Sequence, residues 1–268
     1  MKRFLRRILS VLGLIYLVAC AYMYFRQEDF IFHPRKLNSS EKISISPTSR
    51  EFILNTPDGE KISAVLSPVN KEEGSKVIFY LHGNSGNLKD QNEAAQFYNS
   101  LGFDFFCMDY RSFGKSTGQQ ENETAFFDDI KMAYVFLKKK YKEDSIVVVG
   151  YSLGTAPAAM ISSENSPSKL VLIAPYYSLF DMTLIRYPWI PPFLLKYPFE
   201  TDKHLQKVQS ATLLIHGKKD ETIPFESSKK LAPLLNRKSA FVPITEQDHN
   251  NFEQNPLFVK VISNFLKK

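Results

Sequence analysis

The chain has only two cysteines among its 268 residues, which excludes a disulfide framework. Cys20 lies in an apolar N-terminal run and Cys107 in a predicted buried strand, so the two thiols are not expected to pair. Cysteine and histidine also do not cluster at the spacing of metal ligands, which disfavours a structural zinc site. We therefore expect neither a metal ion nor another cofactor.

The sequence has little excess charge beyond its first residues. The formal net charge is +6. Four cations precede residue 25, in a stretch without any acidic residue: Lys2, Arg3, Arg6 and Arg7. The clearest later run of cations, at residues 138–140, follows a helical pattern, where it suits the negative end of the helix dipole. The remaining charge is weak, so nucleic acid is not an expected partner.

One long uncharged run occupies residues 8–25. As a helix it spans about 27 Å, close to the roughly 30 Å of a bilayer core. Its basic start and aromatic end are typical of a membrane anchor whose N-terminus stays in the cytoplasm, although Arg35 and Lys36 reduce the charge asymmetry. On this interpretation the rest of the chain is extracytoplasmic.

Other interpretations of this run stay open. A cleavable signal peptide has the same basic start, but no small-residue cleavage site follows the run. Residues 17–20 (LVAC) resemble a lipobox in which Cys20 carries the lipid after cleavage, although apolar residues continue past it. A buried helix is a further alternative. The retained helix and the lipoprotein both place the rest of the chain at a membrane, so a lipid bilayer is the expected partner.

Composition divides the chain into three regions. Residues 1–25 are the predicted anchor. Residues 26–48 are a polar linker, in which residues 30–32 are apolar and could contact the domain. Residues 49–268 have the length of a single catalytic domain.

Strand-like and helix-like patterns alternate along this domain. The predicted strands are residues 50–54, 61–66, 77–81, 103–108, 146–150, 169–173, 211–217 and 240–244. The predicted helices are residues 87–100, 124–141, 153–163, 226–235 and 256–268. This alternation predicts an α/β fold with a mostly parallel eight-stranded sheet and helices on both faces.

Residues 175–204 interrupt the alternation with many prolines and aromatic residues. Prolines at this density prevent one long helix. The segment therefore predicts a small cap over the carboxyl ends of the strands, where ligands bind in open α/β sheets.

The strongest functional motif is GYSLG at residues 150–154. It matches G-x-S-x-G, follows the apolar run IVVV directly and opens a helical pattern, which is the strand–turn–helix setting of a nucleophile elbow. Ser152 is therefore the candidate nucleophile, and the glycines fit because a Cβ would collide in so tight a turn. The N–H of Leu153, at a helix N-terminus, is a candidate oxyanion donor.

A serine nucleophile needs a base, and the base needs an orienting acid. Of the five histidines, only His249 falls between the last predicted strand and the last helix, where the base stands in the chain order Ser, Asp, His. Asp220 follows the preceding strand and is the candidate acid. Asp248 is a weaker rival because side chains of consecutive residues diverge. Asp109 is expected to be structural.

The segment HGNSGN at residues 82–87 lies between a predicted strand and a predicted helix. It lacks the lysine of a Walker motif and the glycine spacing of a dinucleotide loop, so it is not expected to cradle phosphate. It suits the second half of an oxyanion hole, with the N–H of Asn84 as donor and His82 holding the loop in shape.

These motifs resemble the α/β-hydrolase superfamily, in particular its single-pass membrane branch of protein depalmitoylases and serine-aminopeptidase-like hydrolases. DYRSFGKSTG at residues 109–118, HGKKDETIP at 216–224 and DHNNF at 248–252 add to the resemblance, which runs from about residue 48 to the C-terminus. The chain departs from the pattern at Asp248, where members often have glycine before the catalytic histidine.

The expected function is that of a membrane-anchored serine hydrolase that cleaves carboxylic esters or thioesters. The anchor and the aromatic cap favour lipid-like or acylated-protein substrates. A peptidase that releases short N-terminal residues is the runner-up, and its free-amine pocket would need a carboxylate near the cap, such as Glu200 or Asp202. A non-catalytic scaffold is the third alternative, and the intact set of serine, aspartate and histidine disfavours it.

Overall fold

An exposed apolar helix precedes the rest of the chain. In this computed structural model, which describes residues 1–69 and 75–267, helix α1 comprises Lys2–Phe25. Its 24 residues, about 36 Å of helix, are long and apolar enough to cross a membrane. Cys20 is its buried residue, and most of the other side chains are exposed. This exposed apolar surface distinguishes α1 from the core helix of a soluble domain.

A single large sheet forms the centre of the domain, with eight strands among the described residues. The strands are β1 (Arg50–Asn55), β2 (Lys61–Ser67), β3 (Val77–Leu81), β4 (Asp104–Met108), β5 (Ile146–Tyr151), β6 (Lys169–Ile173), β7 (Ala211–Gly217) and β8 (Ala240–Ile244). Their order is β1-β2-β4-β3-β5-β6-β7-β8. Strand β2 is antiparallel to both neighbours, and the other pairings are parallel. The prediction of a mostly parallel eight-stranded sheet is confirmed.

Helices cover both faces of this sheet. After α1 they are α2 (Gln27–Ile31), α3 (Asn92–Ser100), α4 (Glu123–Lys138), α5 (Thr155–Glu164), α6 (Leu179–Arg186), α7 (Thr201–Leu205), α8 (Glu226–Leu231) and α9 (Pro256–Lys267). Alternate residues of the buried strand β3 enter different cores: Phe79 packs with α4 and α5, whereas Ile78 packs with α3 and α9. The alternation of side chains along a strand therefore builds two apolar layers, one on each face.

Some helix ends differ from the predicted ones for identifiable reasons. The segment before α3 is a 3₁₀ turn, Leu88–Gln91, because Asn87 and Asp90 form a capping box around it. Helix α8 stops at Leu231 because Pro233 has no N–H to continue it. The closing helix α9 begins at the predicted residue, and Lys268 lies outside the described residues.

The region predicted as a linker is packed against the domain over much of its length. Phe32 is only 4% exposed. Its ring centroid lies 5.3–6.5 Å from those of four aromatic residues: Phe113, Phe126, Tyr197 and Phe199. The next residues, His33–Pro34, pair in parallel with Ser85–Gly86. Phe32 thus gives the contact expected of the apolar residues at 30–32, and the segment that contains it is part of the fold.

The segment at residues 175–204 forms short helices, as its prolines predict. Helix α6 is followed by a 3₁₀ turn, Pro192–Leu194, and then by α7. Tyr197 and Phe199 are completely buried and belong to the main core. The last part of the segment is therefore core, and the part before it lies over the site described below.

We expect Phe32→Ala to lower the free energy of unfolding by about 3–5 kcal/mol, because the truncation leaves a cavity among packed aromatic rings. Phe30→Ala is the matched control, since Phe30 is 44% exposed and should cost much less. Thermal unfolding of the full chain in detergent micelles measures both. Equal losses of stability would mean that residue 32 is not part of the core.

Candidate active site

A strained turn at the carboxyl end of β5 presents Ser152. Its φ is +52°, a left-handed conformation that costs a non-glycine residue on the order of 1–3 kcal/mol. A Cβ on Gly150 would lie 2.4 Å from the carbonyl oxygen of Gly154, and one on Gly154 would lie 2.0 Å from that of Leu81. Both positions therefore accept only glycine. The close packing that requires these glycines also fixes the direction of the serine side chain.

The side chains of Ser152, His249 and Asp220 form one hydrogen-bonded row. His249 Nε2 lies 3.0 Å from Ser152 Oγ, and His249 Nδ1 lies 2.7 Å from Asp220 Oδ2. Ser152, His249 and Asp220 follow β5, β8 and β7, so parallel strands of one sheet bring them to the same end of that sheet. Tyr151 holds the histidine loop, because its hydroxyl donates to the carbonyl oxygen of His249 at 2.9 Å.

The hydrogen bonds around Asp220 fix the tautomer of His249. Asp220 Oδ1 accepts the N–H groups of Thr222 and Ile223 at 2.9 and 2.8 Å. Its Oδ2 faces His249 Nδ1 at 2.7 Å and His216 Nε2 at 3.1 Å. A carboxylate only accepts, so His249 Nδ1 carries the proton. His249 Nε2 is then free to accept the hydroxyl proton of Ser152.

The same contacts keep Asp220 ionised. Burial by itself raises the pKa of this carboxyl, but hydrogen bonds from His216 and His249 outweigh it, and the net pKa lies well below its ordinary value. Asp220 is therefore an anion at neutral pH. An anion next to Nδ1 stabilises the imidazolium that forms when Nε2 takes up a proton.

Sequence reasoning missed the part played by His216. This residue is fully buried, and its Nδ1 lies 2.6 Å from the hydroxyl of Ser228. Its Nε2 lies within 3.1 Å of both Asp220 Oδ2 and the carbonyl oxygen of Ile223. A histidine at the end of a buried strand, four residues before the candidate acid, was the available signal, because a buried ring needs partners for both nitrogens. His216 thus positions Asp220.

The loop predicted as the second half of an oxyanion hole packs against the serine. A Cβ built on Gly83 would lie 3.6 Å from that of Ser152. The side-chain amide of Asn84 donates to the carbonyl oxygen of Ile31 at 3.0 Å, and the backbone carbonyl oxygen of Asn84 accepts the N–H of His33 at 2.7 Å. The region after α1 therefore supports this loop directly. Asn84 and Leu153, the two predicted donors, both line a cavity that reaches Ser152.

A buried pair, His82 and Asp109, lies behind this loop. His82 Nδ1 is 2.8 Å from the carbonyl oxygen of Gly83, and Nε2 is 3.8 Å from Asp109 Oδ1. Burial lowers the pKa of His82 to about 4 and raises the pKa of Asp109 to about 8. Both groups are therefore uncharged near neutral pH. Asp109 also accepts the N–H of Leu88 at 3.0 Å, which fits the structural part expected of it.

Two cavities of different character meet at Ser152. The first has a volume of about 330 Å³ and is mainly apolar, with walls that include Ile31, Leu153, Leu179, Met182, Ile190 and Leu194. The second has a volume of about 570 Å³ and is more polar than the first, with walls that include Arg35, Asp90, Gln91, His249 and Asn250. A molecule held at Ser152 can thus place an apolar part on one side and a polar part on the other.

The other acidic candidates from the sequence lie elsewhere. Asp248 is exposed, and its Oδ1 accepts the N–H of Asn250 and the side-chain amide of Gln247 at 3.0 and 3.1 Å. Within residues 1–69 and 75–267, neither Glu200 nor Asp202 lines either of these two cavities. The carboxylates suggested for a free-amine pocket are therefore not beside the serine.

Comparison with known proteins agrees with this architecture. A family model described as alpha/beta hydrolase fold matches residues 76–202. The chain has the α/β-hydrolase fold. An esterase of Pyrococcus furiosus has the same fold, with a TM-score of 0.72 and 20% identity over 88% of this chain and 97% of the esterase.

Curated relatives cover more of the chain than the family model does. An uncharacterized protein of Mycobacterium tuberculosis is 26% identical over 253 residues, 92% of this chain and 90% of the relative. The lysophosphatidylserine lipase ABHD12 of Danio rerio is also 26% identical, over 71% of this chain and 58% of the lipase. The first of these matches extends the similarity over nearly the whole of both chains.

We expect Asp109→Asn to change how the stability of this protein depends on pH. The raised pKa of Asp109 stabilises the folded state at low pH, and that stability is lost as pH rises to about 8. His82, with its pKa lowered to about 4, acts in the opposite direction below its ordinary value of 6.5. Between pH 6.5 and 8 the loss caused by Asp109 is therefore unopposed by His82, at about 1.4 kcal/mol per pH unit.

Thermal unfolding of the parent protein and the variant at both ends of this pH interval measures the effect. The parent should lose more stability than the asparagine variant as the pH is raised. Parallel losses in the two proteins would contradict a raised pKa for Asp109.

Proposed function

We propose that this protein is a serine hydrolase that is anchored to a membrane and cleaves carboxylic esters or thioesters. The observation that supports this proposal most strongly is the row in which His249 contacts Ser152 Oγ at 3.0 Å and Asp220 at 2.7 Å. This is the arrangement that a serine nucleophile, a histidine base and an orienting aspartate require.

In the first half of the reaction, His249 Nε2 takes the hydroxyl proton while Ser152 Oγ attacks the acyl carbonyl carbon. The carbonyl π bond opens, and the negative charge moves to the oxygen. The backbone N–H groups of Leu153 and Asn84 bind this oxyanion in our assignment. His249 then returns the proton to the leaving oxygen or sulfur, the bond from the carbonyl carbon to that atom breaks, and an acyl-enzyme remains on Ser152.

In the second half, water replaces the leaving group. His249 takes a proton from the water, whose oxygen attacks the acyl carbon, and the proton passes to Ser152 Oγ as the ester breaks. Asp220 stays ionised throughout and stabilises the charged imidazole. The products are a carboxylic acid and the free enzyme, so no cofactor is required.

The two cavities at Ser152 favour a substrate with an apolar acyl part and a polar leaving group. The apolar cavity suits a lipid-like acyl chain, whether of a lipid or of an acylated protein, and the more polar cavity, which Arg35 and Asp90 help to line, suits the group that departs. The names of two similar proteins, a lysophosphatidylserine lipase and an esterase, are consistent with an ester substrate.

Helix α1 is the proposed anchor. The four cations before its apolar stretch favour an N-terminus in the cytoplasm and a catalytic domain, residues 49–268, on the other side. Cys20 lies inside an unbroken helix and is buried, which favours a retained helix over cleavage and lipidation at that position. In both cases the protein stays at the membrane.

We expect a fluorophosphonate probe to label the full chain and to fail on Ser152→Ala, because the probe reacts with an activated serine hydroxyl. Ser163→Ala is the matched control, since that hydroxyl donates to the carbonyl oxygen of Met160 in helix α5 and should leave labelling unchanged. Gel fluorescence measures the labelling. An unlabelled but folded parent protein would favour a non-catalytic scaffold, and preference for aminoacyl amides over acyl esters would favour a peptidase.

We expect Asp220→Asn to reduce kcat for a short-chain ester by about 10³–10⁴-fold, because the amide favours the wrong tautomer of His249. Asp248→Asn is the control for the rival acid, and it should retain most of the parent rate because Asp248 does not contact the ring nitrogens. Steady-state kinetics on both variants decides between them. A larger loss in the second variant than in the first would reassign the acid.

A further inference from the structure

The segment at residues 187–195 lies beside the middle of the apolar helix α1. The hydroxyl of Tyr16 donates to the carbonyl oxygen of Trp189 at 3.1 Å. Tyr16 is nine residues before the end of α1 at Phe25, which corresponds to about 13 Å along the helix. If α1 crosses a bilayer, the contact between Tyr16 and Trp189 places this part of the cap at the depth of the lipid hydrocarbon.

The composition of the segment suits that depth. Its sequence, YPWIPPFLL, contains no charged residue. It has two faces: Tyr187, Ile190, Leu194 and Leu195 line the apolar cavity, whereas Trp189 and Phe193 do not and are 43% and 83% exposed. Exposed large apolar side chains next to a membrane helix indicate a surface that contacts lipid.

Its backbone is also suited to an apolar medium, where an unpaired polar group is costly. Three of the residues are prolines, which have no N–H to satisfy. The N–H groups of Ile190, Leu194 and Leu195 donate to carbonyl groups inside the segment. The carbonyl oxygens of Trp189 and Leu194 accept from the side chains of Tyr16 in α1 and Gln27 in α2.

The end of α1 and helix α2 together form one wall of the cavity that leads to Ser152. Met23 and Tyr24 of α1 and Gln27 and Ile31 of α2 line it, as do residues of the cap. Gln27 fastens this wall, because it donates to the carbonyl oxygen of Leu194 at 2.6 Å and accepts the N–H of Lys196 at 2.9 Å. Glu28 adds an ion pair to Lys196 at 3.1 Å. The cavity is thus built between the anchor and the cap.

From these contacts we propose that residues 187–195 insert into the bilayer beside α1, so that the acyl chain of a membrane-resident lipid ester enters the apolar cavity directly from the hydrocarbon. The insertion of Trp189 and Phe193 is inferred from the position of the segment beside α1. The route of the substrate rests on the proposed function, since it takes α1 as the anchor and Ser152 as the nucleophile. A lipid then reaches the serine without leaving the membrane.

The protein contains a single tryptophan, Trp189, which makes the insertion directly measurable. The full chain is reconstituted in phosphatidylcholine vesicles, with bromine atoms on the lipid acyl chains in one sample and iodide in the water of another. We expect brominated lipid to remove most of the tryptophan fluorescence and iodide to remove little.

The control variant carries Trp189→Phe together with Asn264→Trp. Asn264 is exposed and adjoins Phe265, whose carbonyl accepts from Lys169 at the amino end of β6, at the sheet edge opposite Ser152. In this control variant, iodide should quench the tryptophan fluorescence and brominated lipid should not. Quenching of Trp189 by iodide alone in vesicle-bound protein would overturn the insertion, and failure to float with vesicles would overturn the anchor and the insertion together.

The substrate route is tested with Trp189→Glu/Phe193→Glu, because each carboxylate makes entry into hydrocarbon unfavourable. We expect the ratio of activity on a long-chain lipid ester in the vesicles to activity on a water-soluble short-chain ester to fall about tenfold or more. Leu257→Glu, at an exposed apolar position on α9, should keep the parent ratio.

Other outcomes separate this route from the proposed function. An unchanged ratio in the double variant would overturn entry from the bilayer while leaving the hydrolase intact. A long-chain S-acyl peptide in water that is cleaved faster than the lipid ester would also overturn it, in favour of acylated proteins. Absence of ester hydrolysis and of probe labelling would reject the hydrolase and with it the route, whereas the quenching result would still decide the insertion.

Discussion

The backbone turn at Ser152 is the constraint on which the rest of the site depends. A left-handed serine is held there only because Gly150 and Gly154 allow β3, β5 and α5 to approach more closely than any side chain would permit. The energy needed to keep this conformation comes from packing in the two cores of the sheet. Once the serine direction is fixed, the loops after β7 and β8 need to bring only an imidazole and a carboxylate to the same edge.

Polar contacts then fix each group through its neighbour. His216 and two backbone N–H groups hold Asp220, Asp220 sets the protonated nitrogen of His249, and that nitrogen leaves the other one available to the serine. Because all four side chains are buried, the loss of one hydrogen-bonding partner would leave a buried polar atom unpaired and would destabilise the fold. The geometry is therefore largely preorganised, as electrostatic stabilisation of a developing charge requires.

Much of this arrangement follows from local patterns in the sequence. The predicted first and last residues of β3 and β6 agree with those in the structure. A strand that is buried on both faces is a run of apolar residues without alternating polar ones, so its ends are easy to locate in the sequence. The G-x-S-x-G turn and the order of serine, aspartate and histidine indicated the row of side chains. For Phe32 the sequence indicated only a contact, because rings that enclose it, such as Tyr197 and Phe199, lie far away in the chain. His216 was missed although Asp220 lies only four residues on, because the strand pattern does not show which partners its ring nitrogens meet.

The pairing of His33–Pro34 with Ser85–Gly86 connects the stretch that follows α1 to the loop that carries Asn84. The side chain of Asn84 also donates to the carbonyl oxygen of Ile31 in α2. A protease that cut immediately after Pro34 would separate α1 and this stretch from the domain, and the loop would lose both contacts. If α1 is the membrane anchor that we propose, release of the domain by such a cut would therefore also weaken the support of the loop beside Ser152.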